Sequence, residues 1–288
     1  MQFESVDALQ SELERHDYLP DRGLATAIYL SLRMGRPLLL EGEAGVGKTE
    51  VAKTLNTLLG AELVRLQCYE GIDASQALYE WDYARQLLYA RALQDGSADQ
   101  DTRVKELYGP DFLLERPLLH AIKRGDRAVL LVDELDRADD EFEAFLLEVL
   151  AEFTVTIPEL GTVVAESPPA VIITSNRTRE LHDALKRRCL YHWIEFPDVE
   201  REAAIIRVRV PEASDALAHS VARAVERLRD FDLIKRPGAA EAIDWTRALN
   251  LLGADEVDGE TARETLGWVV KNQDDLRRVD SKLDELLQ

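Results

Sequence analysis

Polar and apolar positions alternate at helical spacing over residues 5–17, and the same periodicity returns over Asp21–Met34. The pattern then changes. Arg36-Pro37-Leu38-Leu39-Leu40 is a short apolar run, which predicts a buried strand leading straight into a glycine-rich loop. A helix is predicted from Lys48 to about Leu59, because Val51, Ala52, Leu55 and Leu58 recur on one face. Glu62–Cys68, Ala128–Val132 and Ala170–Thr174 read as further strands, with Trp193–Phe196 as a fifth. Strands alternating with helical stretches predict an α/β fold, a parallel sheet with helices on both faces. From about Glu200 onward the periodicity is helical throughout.

Two stretches interrupt this plan. Residues 94–103 are polar and turn-rich, which predicts a mobile loop. Phe153–Ala165 carries two β-like runs around Pro158-Glu159-Leu160-Gly161, the signature of a hairpin with a glycine-containing turn. The chain thus divides into an expected α/β core over residues 1–198 and a helical domain over residues 199–288.

Composition narrows the setting. With 288 residues, 46% of them hydrophobic, the chain can bury one large domain, or a core with a smaller companion. No apolar run approaches the roughly 18–20 residues of a membrane span, and Met1-Gln2-Phe3-Glu4 lacks a secretory start. A cytoplasmic protein without a transmembrane segment is expected. Cys68 and Cys189 form no motif and are expected as two buried, reduced thiols. Cys189 and His192 have ligand-like spacing, but no second pair accompanies them, so no structural metal is expected. The net charge of −20 weighs against a nucleic-acid partner.

Four segments carry candidate chemistry. Gly42-Glu43-Ala44-Gly45-Val46-Gly47-Lys48-Thr49 fits G-x-x-x-x-G-K-[ST] at every fixed position, with a strand before it and a helix after it. Glycines let successive backbone N–H groups face phosphate oxygens, and the helix directs its positive end at the same anion. Lys48 is expected to reach the β- and γ-phosphates of ATP, and the Thr49 hydroxyl to ligate Mg²⁺. Leu130-Leu131-Val132-Asp133-Glu134 is an apolar strand ending in two acids, placed for a phosphate crevice. Asp133 is expected to hold Mg²⁺, and Glu134 to orient and deprotonate the attacking water. Asn176, at the tip of another strand, reads either as a γ-phosphate sensor or as a turn former. Leu185-Lys186-Arg187-Arg188-Cys189 reads either as a source of guanidinium charge for a phosphoryl group or as a solvated helix end.

These elements, in this order, resemble the AAA+ superfamily and, within it, the MoxR-type ATPases. Arg65-Leu66-Gln67-Cys68-Tyr69-Glu70-Gly71, Ala77–Trp81, Asp133–Ala138, Glu141–Leu150, Val155–Gly161, Thr174–Arg179 and His182–Trp193 extend the match. Together they are similar to the CoxD-like branch, assembly ATPases of carbon monoxide dehydrogenase, over roughly residues 15–250. The resemblance implies a P-loop AAA+ core with a C-terminal helical lid, and adenine near Asp17–Leu19. It implies Walker A roles for Lys48 and Thr49, Walker B roles for Asp133 and Glu134, and sensor 1 for Asn176. Arg188 matches the arginine finger that acts on a neighbouring subunit, with Arg187 as the fallback. Arg137 is implied at an interface, and Gln67 as a restraint on Glu134. Residues 71–110 take the place of a helix-2 insertion and 153–165 that of the pre-sensor-1 hairpin. One departure stands out: Lys235-Arg236-Pro237-Gly238-Ala239-Ala240-Glu241 has no arginine where sensor 2 belongs, leaving Lys235 or Arg236 as substitutes.

The resemblance further implies a homo-oligomer, a hexameric ring, and a partner with a von Willebrand factor A domain. The expected function is a Mg-ATP-dependent, chaperone-like remodeller that matures a metalloenzyme client of the molybdenum hydroxylase kind. The alternatives are a slow-hydrolysing, nucleotide-dependent binding switch and a nucleic-acid motor.

Overall fold

Three apolar runs supply the centre of the fold. The computed structural model describes residues 3–92 and 106–283, so the loop expected at 94–103 lies outside the described residues. Strands β1 (Leu38–Gly42), β2 (Glu62–Gln67), β5 (Ala128–Asp133), β8 (Ala170–Ser175) and β9 (Leu190–Ile194) form one sheet in the order β2-β5-β8-β1-β9. Every residue of β1 and β5 is buried, as expected of strands covered on both faces. Parallel pairing sets Gln67 opposite Asp133 and Leu131 opposite Ile172. The fifth strand starts at Leu190 rather than at the expected Trp193. Its pairing begins as soon as the Leu190 N–H can donate to the Pro37 carbonyl, 2.8 Å away, ahead of the aromatic stretch that suggested a strand.

Contacts divide the chain into two units. One comprises Thr26–Leu40 and Ala52–His192; the other comprises Phe3–Ala25, Glu41–Val51 and Trp193–Gln288. In the first, Leu39, Leu66, Leu130, Val132 and Ile173 meet Phe142 and Leu146 of the helix Asp140–Glu152 in one buried cluster. That helix starts where the Asp139 carboxylate accepts the Phe142 N–H at 2.8 Å, an N-cap. Pro117 opens the helix Pro117–Arg124, whose Leu118, Leu119, Ala121 and Ile122 are buried. Two small sheets complete this unit: β3 (Tyr79–Trp81) with β4 (Leu113–Glu115), and the hairpin β6 (Thr154–Ile157) with β7 (Gly161–Val164). The hairpin lies within the stretch that predicted it, with Ile157 opposite Gly161.

The second unit is largely helical, with α1 (Val6–Arg15), α2 (Val199–Arg209), α3 (Asp215–Asp230), α4 (Ala239–Leu251), α5 (Gly259–Val269) and α6 (Gln273–Asp280). Ile206, Val225, Leu228, Leu249 and Leu266 surround Trp245, whose indole N–H donates to Thr265 Oγ1 at 2.7 Å. That bond lets a large aromatic bury fully without orphaning its donor. No described helix is long and apolar enough to cross a membrane.

Candidate functional site

The glycine loop lies in the helical unit, between β1 and the helix Lys48–Leu59. Gly45 adopts φ 79°, a left-handed conformation that favours glycine. Its carbonyl accepts the Ala240 N–H at 3.2 Å, and a Cβ on Gly238 would stand 2.6 Å from Ala44 O. The loop therefore touches the start of α4 backbone to backbone, which only glycine at Gly238 permits. Lys48 is 6% exposed, and its ammonium donates to the carbonyls of Gly42 and Glu43, each at 2.7 Å. Thr49 and Glu50 follow in the first helical turn.

Beside the loop is a cavity, lined by Gly45, Val46 and Gly47, by Asp17–Leu19, and by a face of α2. On that face Arg201, Ile205 and Arg209 recur at four-residue intervals. Arg201 donates to Leu19 O at 2.9 Å and pairs with Asp21 at 3.2 Å. Arg209 stands 3.4 Å from Glu50. Burial raises the Tyr18 phenol, opposed by Arg201 and reinforced by Asp21 and Glu50, so it stays a neutral hydroxyl. Apolar walls with charged groups at the edge, next to backbone N–H groups and a helix N-terminus, suit a flat base that carries phosphates. Neither Lys235 nor Arg236 lines this cavity; the lid cations that do are Arg201 and Arg209. The Lys235 backbone N–H donates to the Asp275 carboxylate at 3.0 Å.

The two acids lie in the other unit. Asp133 ends β5 and is 3% exposed; its Oδ1 accepts the Thr174 hydroxyl at 2.6 Å, and its Oδ2 accepts two N–H groups of Arg65. Glu134 has φ 54°, a costly region for a residue with a side chain. Its N–H donates to Thr174 Oγ1 at 2.9 Å, which holds the turn. Glu134 Oε2 accepts from Gln67 Nε2 at 3.1 Å and lies 3.4 Å from Arg137, while Asn176 Nδ2 reaches Oε1 at 3.5 Å. Glu134, Asn176, Gln67 and Arg137 are thus brought together around one carboxylate. Arg188 is not among them: its guanidinium donates to Leu147 O at 2.9 Å. Arg36 fixes the backbone there by donating to the carbonyls of Arg187 and Arg188.

Arg65 and Thr174 are absent from the residue set expected of this site. Their signal is positional: Arg65 lies two residues before Gln67 on one side of β2, and Thr174, next to last in β8, lies two residues before Asn176. Both thiols are buried. Burial, with Asp133, Asp136 and Glu134 adding to it, pushes Cys68 up to about 12. Burial likewise raises Cys189 to about 12, so both stay as neutral thiols.

Asp133 offers hard oxygen donors, the type magnesium selects, and already draws a guanidinium cation to Oδ2; its donor chemistry fits a divalent ion. A second acidic group, Asp140, Glu143 and His182, has donor atoms within 4.8 Å of one another. Arg179 stands 2.9 Å from Glu143 and 3.3 Å from Asp140, so a guanidinium already lies against both carboxylates.

The family model of the AAA domain, dynein-related subfamily, matches residues 37–189, more than half of the chain. The chain belongs to that subfamily. This AAA domain is accordingly a P-loop ATP hydrolase. It is 23% identical to the gas vesicle ATPase GvpN1 of Halobacterium salinarum over 239 residues, 80% of this chain and 62% of that protein. It is also 23% identical to an uncharacterised protein of Staphylococcus saprophyticus, across 69% of this chain and 70% of the relative. Among solved structures, a point mutant of Thermotoga maritima RuvB superposes with a TM-score of 0.51 at 16% identity. That match covers 92% of this chain and 73% of RuvB, and shows the shared AAA fold.

Proposed function

We propose that this AAA domain is a Mg-ATP-dependent, chaperone-like remodeller that acts in maturation of a metalloenzyme. The observation that carries the ATPase half is the Glu134 cluster. A carboxylate at a strained turn, held by an amide and a guanidinium and within reach of Asn176, is built to orient a water and take its proton. Lys48 and the backbone N–H groups of Gly42–Thr49 would cradle the phosphates, with Thr49 and Asp133 as Mg²⁺ ligands and the base in the cavity against Ile205. The metalloenzyme half rests on the sequence resemblance to the CoxD-like MoxR branch. With it come a hexameric ring, a partner with a von Willebrand factor A domain, a molybdenum hydroxylase client and a cytoplasmic setting.

Arg188, exposed and in the turn that follows the helix Asp183–Lys186, would complete the site of a neighbouring subunit. Such fingers contribute about 10³–10⁵ in rate. The test is steady-state Mg-ATP hydrolysis per subunit across a wide range of protein concentration. Specific activity should climb with concentration in the wild type and stay low in Arg188→Ala. Glu134→Gln should bind ATP and lose turnover; undiminished turnover would refute the assigned base.

One observation favours a second reading, a nucleotide-dependent binding switch. The first turn of α4 meets the glycine loop with Ala239, Ala240 and Glu241, offering no arginine to read hydrolysis. Client release on a non-hydrolysable ATP analogue would select the switch; release that requires turnover would select the remodeller.

A further inference from the structure

The acids at the end of β5 are already engaged by the neighbouring strand. Asp133 Oδ2 accepts from Arg65 Nη2 at 2.6 Å and from Nε at 3.1 Å. A carboxylate oxygen in two charge-assisted bonds directs its lone pairs at those protons. A divalent cation approaching Oδ2 must displace them or settle for a water-separated contact. The side chains differ sharply in freedom: that of Arg65 is 55% exposed and that of Asp133 only 5%. Water can replace what the guanidinium loses by swinging out, whereas the buried carboxylate cannot follow it.

Arg65 is coupled to the second acid as well. Its Nη2 also donates to Gln67 Oε1, and Gln67 Nε2 donates to Glu134 Oε2 at 3.1 Å. The register makes this possible. Gln67 lies opposite Asp133, and Arg65 is two residues back, so both project from one side of β2. Among the described residues, β2 is also the last strand at its end of the sheet order, with a neighbour on one side only. One hydrogen-bonded chain therefore joins Asp133, Arg65, Gln67 and Glu134.

We propose that Arg65 is a positioning residue that latches Asp133, competing with the divalent ion for Oδ2, and that its release loosens the hold of Gln67 on Glu134. The inference rests on the Mg-ATP reading above. Metal loading and the freeing of the general base then become one event at β2, rather than two independent ones. A purely structural Arg65 would affect stability and leave the metal requirement unmoved.

The test is a Mg²⁺ titration of the full chain in the presence of a fluorescent ATP analogue, reading the Mg²⁺ concentration at half-change. Arg65→Ala and Arg65→Gln should each lower that concentration by about tenfold, the scale of one charge-assisted contact. Arg65→Lys keeps a compact cation but loses the double bond, and should fall between them and the wild type. Affinity for the analogue in EDTA should be unchanged in all three. A midpoint that stays put or rises in the Gln and Lys variants, with unfolding transitions like the wild type's, overturns the latch, even if the Ala variant fails to fold. A wild type that binds no analogue refutes the nucleotide reading itself; a responsive wild type beside unresponsive variants refutes the latch alone.

Discussion

Two arginine–carboxylate pairs in this chain have the same shortest contact, 2.6 Å, and opposite characters. In the helical unit, Arg229 meets Glu202 through two parallel bonds of 2.6 and 2.9 Å, with exposures of 8% and 0%. Its Nε donates to Pro237 O at 2.9 Å, and the guanidinium lies 4.4 Å from the Phe196 ring centroid. In the sheet unit, Arg65 reaches a single oxygen of Asp133, and more than half of its side chain faces water. The first pair is walled in, so neither charge can leave without stranding the other in a dry interior. The second pair is dry on one side only. Burial of both partners makes a brace; burial of the carboxylate alone makes a contact that a competing cation can open.

The largest effect should come from breaking the brace. Arg229→Met should cost about 3–5 kcal/mol in urea unfolding, because Glu202 stays buried without its partner. The matching Arg65→Met should cost less, about 1–2 kcal/mol, since Asp133 keeps the Thr174 hydroxyl and water can reach the side that the exposed Arg65 vacates. Equal losses would erase the distinction.

A pH series sharpens it next. Burial raises Glu202 to about 7, above the ordinary 4.5, with Arg229 opposing the rise. The folded state thus keeps this proton to higher pH than the unfolded chain does. Its contribution is fully present below about 4.5 and is lost as pH rises through about 7, roughly 1–3 kcal/mol at most. Glu202→Gln removes that dependence, so the Tm advantage of the wild type over the variant should shrink from pH 5 to pH 8. A constant gap would place the Glu202 transition outside this window.

The smallest stability effect belongs to a third, looser pair, Arg209 with Glu50, 3.4 Å apart and exposed by 38% and 30%. Arg209→Gln should change unfolding free energy by about 0.5 kcal/mol or less. Because Arg209 lines the cavity beside the glycine loop, the same change should weaken ATP-analogue binding several-fold. Unaltered affinity would remove Arg209 from the nucleotide site.

The parts of the site that were legible in the sequence are those whose neighbours are adjacent in the chain. The loop Gly42–Thr49 needs its glycines, its lysine and the next helix within eight consecutive positions, and the apolar run before Asp133 announces a buried strand with a polar end. The elements feeding them were legible for the same reason, since periodicity is a local property. The fifth strand was misplaced by three residues because its start is set by a hydrogen bond to Pro37, far away in sequence. The start of β9 is a matter of pairing, not of composition.

Arg65, Thr174 and Arg209 show what the fold alone decided. Each is an ordinary polar residue in its own segment. Arg65 becomes the partner of Asp133 because β2 and β5 pair in parallel with Gln67 opposite Asp133, a register no single segment contains. Thr174 reaches both Asp133 and the Glu134 N–H because β8 lies against β5. Arg209 reaches Glu50 from a helix position 159 residues later in the chain. The sequence determined which groups can do chemistry, since that depends on residue type and local spacing. Tertiary structure determined which of those groups are held, and how tightly, because desolvation and partner geometry are set by what packs alongside.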